Sequence, residues 1–228
     1  MSDITLIIGN KNYSSWSLRP WILLQHLQLP FTEIVIALDQ ADTRARIAEH
    51  SPAGRVPILK HGALVVWDSL AIGEYLCELA AAGLPADRSQ RARARAACAE
   101  MHSAFLALRN QWPMNARAHA RRTAMTAALA EDLRRIDALW SECLARRAQG
   151  PWLFGDYSLA DAMYAPVVLR FHTYGAQLST PAQAYVDFVL QDPWLQQWIG
   201  AAAREPWTIQ YSELGLGPVA GDSAQTDA

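Results

Sequence analysis

At 228 residues the chain holds one large domain or two small ones, and with 51% hydrophobic residues it has enough apolar material for a substantial core. A net charge of −2 excludes any global attraction to nucleic acid or to an anionic membrane, and the sequence has no run of about 18 apolar residues that would cross one. The charge is uneven: residues 86–150 carry 12 basic and 6 acidic side chains, but their arginines alternate with alanines and lack interleaved aromatics, the mark of a solvated helical face rather than a nucleic-acid patch.

Residues 4–9 form a short apolar run and read as a strand buried on both faces. Trp16, Leu18, Trp21, Ile22, Leu24 and Leu27 then recur at helical spacing, so Ser14, Ser15 and Ser17 fall where a strand turns into a helix. Pro20 is expected in the first helical turn, which puts the N-cap between Ser14 and Ser17. Such a turn aims free N–H groups and the positive end of the helix at one point, and an anion placed there is stabilised. Residues 31–38 read as a second strand, parallel to the first, and residues 41–49 as a short helix. After the turn Ser51-Pro52-Ala53-Gly54, two apolar runs at 55–60 and 63–67 flank His61-Gly62 as a β-hairpin, with Pro57 at a strand start or edge. Asp68-Ser69 opens a helix over residues 69–82.

Residues 83–87 read as a linker, and beyond them the patterns are helical only. Cys98, Met101, Phe105, Leu108 and Trp112 predict one helix over 89–112, stopped or kinked at Pro113. A second helix is predicted over about 123–147, a third after the capping signal Ser158-Leu159-Ala160-Asp161, and two shorter ones near 181–190 and 193–203. Residues 214–228, rich in Gly, Ser, Asp and Ala, read as a disordered tail. Cys77, Cys98 and Cys143 lack any C-x-x-C spacing and sit in helical patterns, so they are expected as small buried hydrophobes and not as a disulfide or a metal site.

A β-α-β-α-β-β-α unit followed by helices, carrying these motifs, resembles the cytosolic glutathione S-transferase family over residues 4–205. Ser14-Ser15-Trp16-Ser17 is similar to the serine-bearing turn of its zeta-like and bacterial serine-type members, with Trp16 replacing their usual cysteine. Pro52-Ala53-Gly54-Arg55-Val56-Pro57 resembles the family's loop before the third strand, where Val-Pro is cis. Asp68-Ser69-Leu70-Ala71-Ile72 resembles the acidic-Ser pair that opens the third helix, and Ser158-Leu159-Ala160-Asp161 the capping box of the helical domain. The resemblance implies an α+β fold. A thioredoxin-like domain would span residues 1–82, a linker 83–87 and an all-helical domain 88–212, leaving 213–228 as a tail.

It also implies chemistry. The anion at the serine turn would be the thiolate of glutathione as co-substrate. Ser14 is the first candidate donor and Ser15 a close second, with Tyr13 a third; the plainer reading is that these serines only cap the helix. Val56 N–H and C=O, ahead of Pro57, would pair with the cysteinyl backbone. Ser69 would hold the γ-glutamyl carboxylate, Asp68 the α-ammonium and Arg55 the glycyl carboxylate. Met101, His102, Phe105, Arg109 and Trp112 would line the site for a small hydrophobic electrophile. No metal, nucleic acid or membrane is implied, and a cytoplasmic homodimer is expected. Two rival readings accompany this one: a glutathione-dependent cis-trans isomerase, and a non-catalytic binding module of the same fold.

Overall fold

The computed structural model describes residues 3–215. Its first part runs β1 (Ile4–Ile8), α1 (Ser15–His26), β2 (Thr32–Val35), α2 (Thr43–Ala48), β3 (Ile58–His61), β4 (Leu64–Trp67) and α3 (Ser69–Ala80). The four strands form one sheet in the order β2-β1-β3-β4; β1 is parallel to β2, and the other two pairings are antiparallel. Alternation along β1 feeds two layers. Ile4, Leu6 and Ile8 join the main core with Leu18, Ile22 and Ile72, while Ile7 meets Ile36, Ile47 and Ile58 on the α2 side. A mixed sheet covered on both faces is the thioredoxin-like arrangement expected from the element order.

The second part is all helical: α4 (Arg88–Ser103), α5 (Leu106–Gln111), α6 (Ala127–Arg146), α7 (Leu159–Tyr174), α8 (Thr180–Val189), α9 (Pro193–Ala203) and a 3-10 turn at Gln210–Ser212. Helix α7 is buried on nearly every side and is the main partner of α1. At Gly73 on α3 an added Cβ would lie 2.4 Å from Leu159 Cδ1, so the small residue sets how closely the two parts approach.

Three local expectations are corrected. The single helix over 89–112 is two, because Phe105 takes a left-handed conformation (φ 61°) and Arg109 folds back to donate to the carbonyls of Ala104 (3.0 Å), His102 (3.2 Å) and Met101, closing the end of α4. Pro20 lies at the sixth residue of α1, inside the helix and not in its first turn. Glu213, assigned to the tail, is anchored: Tyr13 Oη donates to it at 2.7 Å, Asn115 Nδ2 at 2.8 Å and Arg121 Nη2 at 2.6 Å. The rest of the expected tail, residues 216–228, lies outside the described residues.

All three cysteines are free, with Cys77 and Cys98 in the core. Burial pushes the thiols of Cys77 and Cys143 up to about 12 and that of Cys98 well above its ordinary value. Among the described residues no group of three or more His, Cys, Asp or Glu side chains could hold a metal, and no helix is long and apolar enough to cross a membrane.

Candidate active site

The turn between β1 and α1 is held from within and from far along the chain. Ser17 Oγ accepts from Gly9 N–H at 3.0 Å and from Ser14 Oγ at 2.7 Å, so two of the three serines brace the turn. Ser14 is the N-cap residue, yet its side chain makes no cap bond to the helix. Its hydroxyl proton is directed at Ser17 instead. Ser15, the first residue of α1, has a hydroxyl with no hydrogen-bond partner among the described residues, and the same holds for the N–H of Trp16. Two unsatisfied donors therefore stand at the positive end of a helix, the arrangement that stabilises an anion. Tyr13 is committed elsewhere: its hydroxyl donates to Glu213 and accepts from Arg117 Nη2 at 3.0 Å.

Two adjoining cavities open onto this turn. One, of about 420 Å³, is lined by Tyr13, Ser14, Ser15, Arg109, Arg170 and Tyr211 among others. The second, of about 490 Å³, is lined by Ala53, Pro57, Trp67, Asp68, Ser69 and His102. Trp16, Arg55 and Val56 border both. Volumes of this size suit small-molecule ligands.

In the second cavity the polar groups are set by α3. Asp68 caps that helix through Oδ1, which accepts from Leu70 N–H at 2.8 Å and Ala71 N–H at 3.2 Å. Its Oδ2 lies 3.2 Å from His102 Nε2. The cap leaves the Ser69 N–H and hydroxyl hydrogen without an acceptor among the described residues, while Ser69 Oγ itself accepts from Arg19 Nη1 at 3.2 Å. Across the cavity the Val56–Pro57 bond is cis, and Val56 N–H and C=O have no backbone partner among the described residues. Arg55 is exposed at the rim.

Trp16, where the resemblance would place cysteine, carries two arginines over its ring. The Arg19 guanidinium carbon lies 4.3 Å and the Arg109 carbon 4.6 Å from the ring centroid, and His102 meets the ring edge-on at 5.4 Å. Arg19 is fully buried, and its Nε has no hydrogen-bond partner among the described residues. Burial, followed by repulsion from Arg109 and Arg170, pulls Arg19 down to about 9; burial and then Arg109 pull Arg170 down to about 9 as well.

The structure thus gathers Ser14, Ser15, Arg55, Val56, Pro57, Asp68, Ser69, His102 and Arg109 around two joined cavities. It does not bring Met101, Phe105 or Trp112 there. These three are buried in the main core and line neither cavity; Met101 lies on α4, whereas Phe105 and Trp112 flank α5. His102 lines the Asp68–Ser69 cavity, whereas Arg109 lines the other. Sequence reasoning missed Arg170, Pro113, Met114, Tyr211 and Ser212. Arg170 carried a usable signal, a lone charge within an otherwise apolar run from Ala162 to Phe171.

Comparison with known proteins bears on the family and the fold. Sequence models of the glutathione S-transferase N-terminal domain and C-terminal domain match residues 13–79 and 119–201. Among solved structures, a glutathione transferase homolog from Burkholderia BGR1, with bound glutathione, is 25% identical, covering 88% of this chain and 97% of its own, with a TM-score of 0.66. A theta class glutathione S-transferase from Xanthomonas axonopodis pv. citri, also with glutathione bound, is 23% identical over 87% of this chain and 98% of its own, with a TM-score of 0.62. A bacterial zeta class member, maleyl pyruvate isomerase, is 23% identical over 90% of this chain and all of its own (100%), with a TM-score of 0.68. The curated proteins contain no sequence match. With one family's two domain models in order along the chain, and its fold in place, the chain belongs to the glutathione S-transferase family.

Proposed function

We propose that the protein binds glutathione across the Val56, Asp68 and Ser69 cavity and activates its thiolate at the start of α1 for attack on a small electrophile. The observation that carries this reading is the pair of uncommitted donors, Ser15 hydroxyl and Trp16 N–H, beside a cavity whose other free groups match a tripeptide. Val56 N–H and C=O would pair with the cysteinyl backbone as a short β-augmentation. Ser69, backed by Arg19, would take the γ-glutamyl carboxylate, Asp68 Oδ2 the α-ammonium and Arg55 the glycyl carboxylate.

The energetics suffice. Lowering a thiol pKa from about 8.5 by two units requires about 2.7 kcal/mol in favour of the anion. One charge-assisted hydrogen bond contributes about 1.5–3 kcal/mol and a helix terminus about 0.3–1 kcal/mol. Ser15 is the donor this reading favours, since Ser14 serves the sulfur only after turning away from Ser17. The sulfur then forms a bond to the electrophilic carbon while the leaving group departs with its electron pair. Isomerisation, in which the thiolate adds to a conjugated double bond and leaves again after rotation, uses the same groups.

The decisive experiment is titration of glutathione bound to the protein, read by thiolate absorbance, alongside turnover of a chloronitroarene. The expected outcome is a bound thiol more acidic than in free solution, with conjugate formed. Retention of glutathione at unchanged acidity and without turnover would support the binding-module reading instead. The quaternary proposal is a homodimer: Leu64 (45% exposed), Trp67 (54%) and Leu79 (41%) leave apolar surface on β4 and α3. Sedimentation should return twice the 25.2 kDa chain mass, and a concentration-independent monomer would refute it.

A further inference from the structure

We propose that the second substrate carries a carboxylate, held by Arg109 and Arg170 in the cavity beside Ser15, with its electrophilic carbon presented to the glutathione sulfur. This inference rests on the glutathione-transferase reading and deepens it by assigning a charge to a substrate expected from family resemblance to be merely hydrophobic.

Arg170 comes from α7 and is 6% exposed. Only its Nη1 makes a hydrogen bond, to Trp112 C=O at 2.9 Å; its other donors have no acceptor among the described residues. Arg109 spends Nε and Nη2 on the carbonyls at the end of α4, which fixes its guanidinium at the cavity wall. No carboxylate of a described residue lies within ion-pair distance of Arg19, Arg109 or Arg170, although every one of the three is at least partly buried. The Asp132 charge favours the Arg109 cation, but Asp132 Oδ2 is taken by Leu108 N–H at 2.9 Å.

Buried guanidinium groups without counter-ions are costly to the fold, and here they also repel one another. A planar carboxylate matches the donor fork of arginine and would remove both penalties at once. Glutathione does not supply that carboxylate. Its two carboxylates are assigned to Ser69 with Arg19 and to Arg55, and neither Arg109 nor Arg170 lines the cavity of Asp68 and Ser69. The walls beside the arginines are apolar, from Pro113, Met114 and Tyr211, so the ligand is a carboxylate on an apolar body.

The test uses two matched electrophiles, 4-chloro-3-nitrobenzoate and 4-chloro-3-nitrobenzamide. In both, the thiolate forms a C–S bond at the chlorinated carbon and chloride leaves with the C–Cl electron pair. Each kcat/KM is divided by the uncatalysed rate. In parallel, calorimetry measures the affinity of the two synthetic glutathione conjugates, which does not depend on turnover. The expected result is a preference for the carboxylate of about 10- to 100-fold in both measurements. That preference should collapse towards unity in Arg170→Met and in Arg109→Leu, so one variant suffices if the other does not fold. Equal handling of the two compounds by the native protein overturns the inference, as does a preference that survives both substitutions. If the substitutions instead slow both electrophiles equally and raise the pH at which the rate climbs, the arginines serve the sulfur and the inference also falls. Glutathione bound but neither conjugate bound would refute the carboxylate site alone; no glutathione binding would remove the reading beneath it as well.

Discussion

Two buried polar clusters in this molecule are built on opposite rules. In the helical part, the Asp161 carboxylate sits wholly inside the core and accepts four hydrogen bonds: from Leu153 N–H at 3.0 Å, Ser158 N–H at 2.9 Å, Ser158 Oγ at 2.8 Å and Tyr185 Oη at 2.9 Å. Around Trp16, by contrast, three arginines crowd together with few acceptors, and no carboxylate of a described residue lies within ion-pair distance of them. The first cluster is closed and ties α7 to the loop before it and to α8. The second is open along a cavity wall. A satisfied network serves the fold, whereas buried charge left without a partner costs stability, a cost the proposed carboxylate ligand would offset.

Substitutions should separate the two clusters. Asp161→Ala strands four donors in the core and should cost about 3–5 kcal/mol in urea unfolding, a loss far beyond an ordinary helix cap. Loss of less than about 1 kcal/mol would deny the hub its structural role. Ser15→Ala should lower conjugation about 100-fold while leaving glutathione affinity within a few-fold, since its bond is made to the thiolate. If Ser14→Ala shows that phenotype instead, the donor is the N-cap serine. Ser69→Ala should weaken glutathione binding by roughly tenfold with little change in thiol acidity, read by calorimetry. Arg170→Met should change stability by less than about 1 kcal/mol or raise it, because removing an unpaired buried cation offsets the lost hydrogen bond. A large destabilisation there would make the two clusters alike.

The smallest effect is one of pH. Burial raises the Asp161 carboxyl above its ordinary range, even though its four hydrogen bonds act the other way. Between the unfolded and the raised folded value, the folded state therefore keeps a proton that the unfolded chain has released. Its contribution is complete below the unfolded value, about 3.9, and is lost as the pH rises through the raised folded value. Asp161→Asn should flatten that part of the stability profile.

Much of this was legible in the sequence, for identifiable reasons. The β-α-β-α-β-β-α order followed from short apolar runs, a His-Gly turn and helical stripes, and the placing of Asp68-Ser69 at a helix start followed from capping chemistry. The break at Phe105 was not legible, because the apolar spacing from Cys98 to Trp112 is compatible with one continuous helix; a left-handed phenylalanine and the long reach of Arg109 decide it. The division of labour among Ser14, Ser15 and Ser17 was equally hidden, since it depends on which hydroxyl meets Gly9 N–H across the turn. Residues 204–212 were given no element of their own, and 213–228 were read by composition, which carries no record of the partners that hold Glu213.

That last segment has a consequence for how the protein is made. Lys11 N–H and Asn12 N–H, just ahead of the serines, both donate to the Glu205 carboxylate, at 2.6 and 2.9 Å, and Tyr13 donates to Glu213. The earliest part of the reactive loop is thus fastened by acceptors that the ribosome adds about two hundred codons later. A nascent chain can pair its strands and still lack the finished turn before α1 until residue 213 has emerged, so the centre proposed at that turn waits for the whole helical part to be made.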